Sequence, residues 1–130
     1  MKHQCQALVI RCMDFRFRKA TIKFVEDKIK GDFDDPTQAG GVKNVDFIVE
    51  HVKIAKENHK IQEVYLFNHQ DCTAYGGSQN FKSFEEEREF HRQVLNRAKA
   101  FISYLFPGLK VYIFYAHFGP REEILFEEVE

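Results

Sequence analysis

Three stretches of this chain, residues 6–12, 61–67 and 109–118, are rich in apolar side chains and show no helical period. A strand covered on one face alternates apolar with polar residues, whereas one covered on both faces does not. The three runs therefore predict internal strands of a sheet with helices packed on each side. The segments between them have a helical period. Phe17, Thr21, Phe24, Val25, Lys28 and Ile29 share one face of a helix that Gly31 would stop. Val45, Ile48, Val49, Val52 and Ala55 mark a second helix, and Phe90, Val94, Ala98, Phe101, Ile102 and Leu105 a third. Ser83 followed by Glu86 reads as a capping box for that third helix, and Pro107-Gly108 as its end. Residues 32–38 read as a short strand that Pro36 confines to a sheet edge, followed by the tight turn Ala39-Gly40-Gly41. The tail from Ile124 to Val129 fits either an edge strand or a helix.

Strand and helix alternation predicts an α/β chain, a three-layer α/β/α arrangement around a mostly parallel sheet of strand order 2-1-3-4. A length of 130 residues suits one domain, here residues 1–130. A formal net charge of -1 offers no basic face, which argues against nucleic acid. No stretch approaches the ~18 consecutive apolar residues of a membrane span, and the amino terminus shows no secretory pattern. Three cysteines, an odd number, argue against a disulfide framework and for a reducing, cytoplasmic setting. Cys5 reads as a small core residue at the start of the first strand.

Ligands of such sheets gather at the carboxyl ends of strands, where the winding reverses. Cys12 ends the first apolar run, and His69 and Cys72 follow the second, at 61–67, which is the third strand of the sheet. In the order 2-1-3-4 those strands are neighbours, so the residues converge. Two thiolates and an imidazole form a three-ligand zinc set with an open fourth position, the catalytic form of a zinc site. A structural zinc finger would need two close ligand pairs, and only one is present. The spacing of Cys12 and Arg18 also matches a phosphatase loop. That reading fails because Met13, Phe15 and Phe17 leave no small residues for a backbone phosphate cradle. His51, His59 and His91 read as solvated. His117, closing the last strand, reads as a structural histidine near the same sheet edge.

Cys12-Met13-Asp14-Phe15-Arg16 and His69-Gln70-Asp71-Cys72, with Ala39-Gly40 between them, resemble the paired motifs and the Ala-Gly turn of the β-class carbonic anhydrases. The likeness runs in order over about residues 6–118. Thr37-Gln38 stands where that family commonly has Arg-Asn, and Asn68 and Thr73 where Gly is commoner. The resemblance implies zinc held by Cys12, His69 and Cys72, with Ala39 and Gly40 at the substrate pocket. It implies an Asp14–Arg16 dyad that orients a zinc-bound hydroxide toward carbon dioxide, in the reversible hydration to bicarbonate. Two thiolates neutralise the metal, so an alkaline activity profile is expected. If Arg16 released it, Asp14 could swing onto the metal and close the site. A homodimer or higher homo-oligomer is implied as well. Two alternatives keep zinc: hydrolysis of a related heterocumulene such as carbon disulfide or carbonyl sulfide, and a catalytically silent zinc-binding protein. The intact dyad argues against the second.

Overall fold

A computed structural model describes residues 3–130. Strand β1 (Ala7–Cys12) is buried along its whole length. It pairs in parallel with β4 (Glu63–His69), which pairs in parallel with β5 (Lys110–Phe118). These three are the continuous apolar runs, and they form the centre of the sheet. Leu8, Ile10, Val64, Leu66, Val111 and Ile113 point to one face. There they meet Ile48, Val52 and Ala55 of α2 (Val45–His59) and Leu95, Ala98 and Ile102 of α3 (Phe84–Leu105). Ala7, Val9, Tyr65, Phe67 and Phe114 point the other way, against Val25 of α1 (Phe15–Lys28) and Ile29 just beyond it. The result is the expected three layers.

The second strand is split into β2 (Phe33–Asp34) and β3 (Thr37–Gln38), with Asp35 and Pro36 between them. Both pair in parallel with β1, β2 against Ala7 and Leu8 and β3 against Arg11 and Cys12. Where Pro36 interrupts the ladder, the nearly buried Arg11 guanidinium makes a two-pronged pair with Asp35, each N–O distance 3.0 Å. The tail forms β6 (Ile124–Glu128), antiparallel to β5. Chain-order numbering thus gives β2-β1-β4-β5-β6, the expected 2-1-3-4 path with a split edge strand and an added edge.

Helix α3 corrects the face read from its sequence. Glu87, His91, Leu95, Ala98 and Ile102 are buried, while Phe90, Phe101 and Leu105 are about two-fifths exposed. The buried line keeps helical spacing but includes two polar residues, each held by hydrogen bonds beneath the carboxyl end of the sheet. At the helix start, Ser83 Oγ accepts from the Glu86 amide at 3.1 Å, as expected. The Glu86 carboxylate reaches the Lys82 amide instead of that of Ser83.

Candidate active site

Cys12 is the last residue of β1 and His69 the last of β4, and the two strands end side by side. After His69 the chain turns sharply. The Gln70 amide donates to Ala116 O, Asp71 adopts a left-handed φ of 60°, and Cys72 leads into a 3-10 turn at Thr73–Tyr75. This turn brings Cys72 back over the strand ends. The two sulfurs lie 4.0 Å apart, and the ligating atoms of Cys12, His69 and Cys72 all lie within 4.8 Å of one another. All three residues are buried.

The imidazole is already in the tautomer a metal requires. His69 Nδ1 sits 2.7 Å from the Gln70 carbonyl, which can only accept, so the ring proton lies on Nδ1. Nε2 is left buried with a free lone pair and, among the described residues, no hydrogen-bond partner. Phe17 lies against the ring at 4.2 Å between centroids and holds its plane. The thiols form a coupled pair. A hydrogen bond from Cys72 draws Cys12 well below the usual thiol range, and the same bond, with burial, pushes Cys72 up. One sulfur ionises readily, and a second thiolate beside it calls for a cation. A buried imidazole lone pair beside two such sulfurs fits zinc.

Asp14 caps α1, its Oδ1 accepting from the Arg16 amide at 2.9 Å. The Arg16 side chain then returns to the same carboxylate, with Nη2 2.6 Å from Oδ2 and Nε 3.1 Å from Oδ1. These bonds hold the Asp14 carboxyl below the usual carboxylate range. Asp14 Oδ2 is 3.9 Å from His69 Nε2, so the dyad borders the cluster. Arg16 has a second anchor that sequence reasoning missed. Its Nη1 reaches Asp71 Oδ2 at 3.0 Å and its Nη2 reaches the Asp71 carbonyl at 2.9 Å. Asp71 is fixed in turn by the Ser78 amide on Oδ1 and by its own amide donating to the buried Glu87. Its place between the two ligands of His-x-x-Cys was the one available signal.

Ala39 lines an open cleft of about 690 Å³ together with Met13, Asp14, Phe15, Arg16, Asp71 and Thr73. Gly40 is buried deeper, and its backbone helps lower the Cys12 thiol. Gly41 is the tighter requirement. Its φ is 58°, and a Cβ there would lie 2.4 Å from both Phe67 O and Asn68 Oδ1. Gln38 closes this turn by donating to Gly41 O at 2.7 Å. Asn68 accepts from the Val42 amide and contacts His91 Nδ1 at 3.0 Å, tying the turn to α3.

His51, His59 and His91 are not solvated as expected. His91 is wholly buried. His51 and His59 are half-buried, bonded to Phe47 O and to Asp34 respectively. His117 is half-buried outside the cluster, with Nδ1 3.3 Å from Phe118 O. Cys5 lies at the margin of the core, not within it.

Residues 2–119 match the model of the family described as "Putative carbonic anhydrase". The chain belongs to this family. Two curated relatives, uncharacterized proteins of Rickettsia bellii and Rickettsia conorii, are each 29% identical over 125 residues. The match spans 86% of this chain in both cases, and 76% and 67% of theirs respectively. Among solved structures, the carbonic anhydrase of Streptococcus mutans superposes with a TM-score of 0.68 at 14% identity, over 99% of this chain and 84% of that one. The β-carbonic anhydrase CafA of Aspergillus fumigatus gives 0.56 at 15%, over 99% and 76%. The α/β/α architecture is therefore that of the β-carbonic anhydrases.

Proposed function

We propose that this chain is a single-domain zinc carbonic anhydrase of the β class, interconverting carbon dioxide and bicarbonate. The observation that carries the reading is the buried, unpartnered His69 Nε2 beside two convergent thiols, with a carboxylate–guanidinium dyad at its border. Cys12, His69 and Cys72 would hold the zinc. When bound, zinc would supply the Lewis acidity that lets a water lose its proton at mildly alkaline pH, because two thiolates offset its charge. Asp14 accepts a hydrogen bond from the attacking oxygen and aims its lone pair at the carbon. Arg16, bonded to Asp14 and Asp71, keeps that carboxylate ionised and turned toward itself. Ala39, backed by Gly40, forms the wall against which a small apolar substrate rests, and Phe17 keeps the imidazole from turning. A reducing compartment such as the cytoplasm suits a site built on two thiols. A homodimer is part of the proposal. Val42, Val45, Tyr75, Phe90, Val94 and Phe101 line an apolar groove of about 610 Å³ that a second copy would cover.

Metal analysis with stopped-flow carbon dioxide hydration at pH 7 and 8.5 tests the reading. Zinc bound in the wild type should fall by one equivalent per chain in Cys12→Ser, and turnover should rise with pH. Asp14→Ala should keep its zinc and lose turnover. Zinc unchanged by Cys12→Ser, or full activity in Asp14→Ala, would refute it. Turnover of carbon disulfide or carbonyl sulfide in place of carbon dioxide would reassign the substrate.

A further inference from the structure

At the opposite end of the sheet, where the parallel strands begin, three potential metal ligands converge from separate segments. Cys5 lies just before β1, Asp34 ends β2, and His59 ends α2. Backbone bonds fix the junction: the Cys5 amide donates to His59 O at 3.0 Å, and the Gln6 amide to Asp32 O at 2.8 Å. His59 Nδ1 lies 2.6 Å and Cys5 Sγ 3.7 Å from Asp34 Oδ2. The ligating atoms of the three residues lie within 4.8 Å of one another. Zinc bonds of about 2.0–2.3 Å place the ligand atoms of a tetrahedral site roughly 3–4 Å apart, so small side-chain shifts would admit an ion.

We propose that Cys5, Asp34 and His59 form a second zinc site, separate from the catalytic one, with a fourth position open to water. A thiolate, a carboxylate and an imidazole are the sulfur, oxygen and nitrogen donors that zinc combines. The surroundings supply the outer contact that metal-bound histidines generally have. His59 Nε2 lies 3.1 Å from His3 Nε2. When Nδ1 gives its lone pair to the ion, the proton moves to Nε2 and is donated to His3. In the metal-free tautomer Nδ1–H donates to Asp34 instead, so both states are hydrogen-bonded. Asp34 and His59 keep about three-tenths of their side-chain surface exposed. A cleft of about 280 Å³, which both residues line, provides an entry path. The ion would clamp the amino-terminal segment to the end of α2 and to the split edge strand. None of these residues belongs to the active cleft, so the site stands or falls apart from the proposed reaction.

The test is zinc content of the full chain after saturation and gel filtration. Cys5→Ser should hold one zinc fewer per chain than the wild type while keeping its carbon dioxide hydration. His59→Gln should lose the same equivalent. The Cys12→Ser/Cys72→Ser chain, whose sole thiol is Cys5, is then loaded with cobalt(II). It should show a near-ultraviolet sulfur-to-cobalt charge-transfer band that adding Cys5→Ser abolishes. Equal zinc in the wild type and Cys5→Ser would overturn the proposal. If Cys5→Ser does not fold, the cobalt spectrum decides, and absence of that band overturns it.

Discussion

His91 should impose a measurable acid sensitivity on folding. The ring has no exposed surface, its Nδ1 is 3.0 Å from Asn68 Nδ2, and its Nε2 has no partner among the described residues. Asn68 cannot turn its oxygen toward the ring, because Oδ1 accepts from the Val42 amide. Nδ1 must therefore be the acceptor, and protonating it would set two donors against each other in a dry site. Burial accordingly pulls the His91 pKa down to about 4. An unfolded histidine titrates near 6.5, and each unit of difference corresponds to about 1.36 kcal/mol. The unfolded chain thus takes up a proton that the folded chain refuses. Stability is full above pH ~6.5 and falls as pH drops toward 4, by about 3 kcal/mol in all. That is a large share of the ~5–15 kcal/mol available to a typical domain. The assay is urea unfolding followed by circular dichroism at pH 7.5, 6, 5 and 4, for the wild type and His91→Gln. Gln retains an acceptor for Asn68 and has no proton to take up. We expect the variant to be ~1–2 kcal/mol weaker at pH 7.5 and the order to reverse by pH 4. Acid release of metal affects both chains and cancels in the difference. Parallel curves across the range would refute the reasoning.

Arg16→Ala should retain zinc and lose about 30-fold in kcat/KM by stopped flow. Two charge-assisted bonds to Asp14, discounted to ~1 kcal/mol each for exposure, correspond to that factor. Its melting temperature should move little, since the guanidinium side chain is 33% exposed. Unchanged turnover would show that Asp14 needs no restraint. Asp71→Asn should cost less than Arg16→Ala, under tenfold, because the Asp71 carbonyl and the Asp14 carboxylate still hold the guanidinium; a loss equal to that of Arg16→Ala would contradict this. Gly41→Ala should destabilise by roughly 2–4 kcal/mol, from a left-handed φ and a Cβ driven into backbone. A melting temperature within a degree or two of wild type would count against it.

The parts of this molecule legible in sequence are those set by burial on two faces. The runs that became β1, β4 and β5 had no other economical reading, and once they lie side by side Cys12 and His69 must meet. Contacts made by a returning loop were not legible. Asp71 reaches Arg16 only because the chain reverses after His69 at a left-handed residue, and no periodicity announces such a turn. Helix α3 was misread for a related reason. Its phenylalanines suggested the inward face, yet Glu87 and His91 lie inward because Asp71, Ser78 and Asn68 supply their hydrogen bonds there. With its partners present, burying such a group costs little. Phe90 and Phe101 instead line the groove that α3 forms with Val42, Val45 and Tyr75. The misassignment is therefore informative in itself. Polar residues of α3 drawn inward brace the loop that carries Asp71 and Cys72, and the apolar ones left outside line the groove to which the proposed homodimer is assigned.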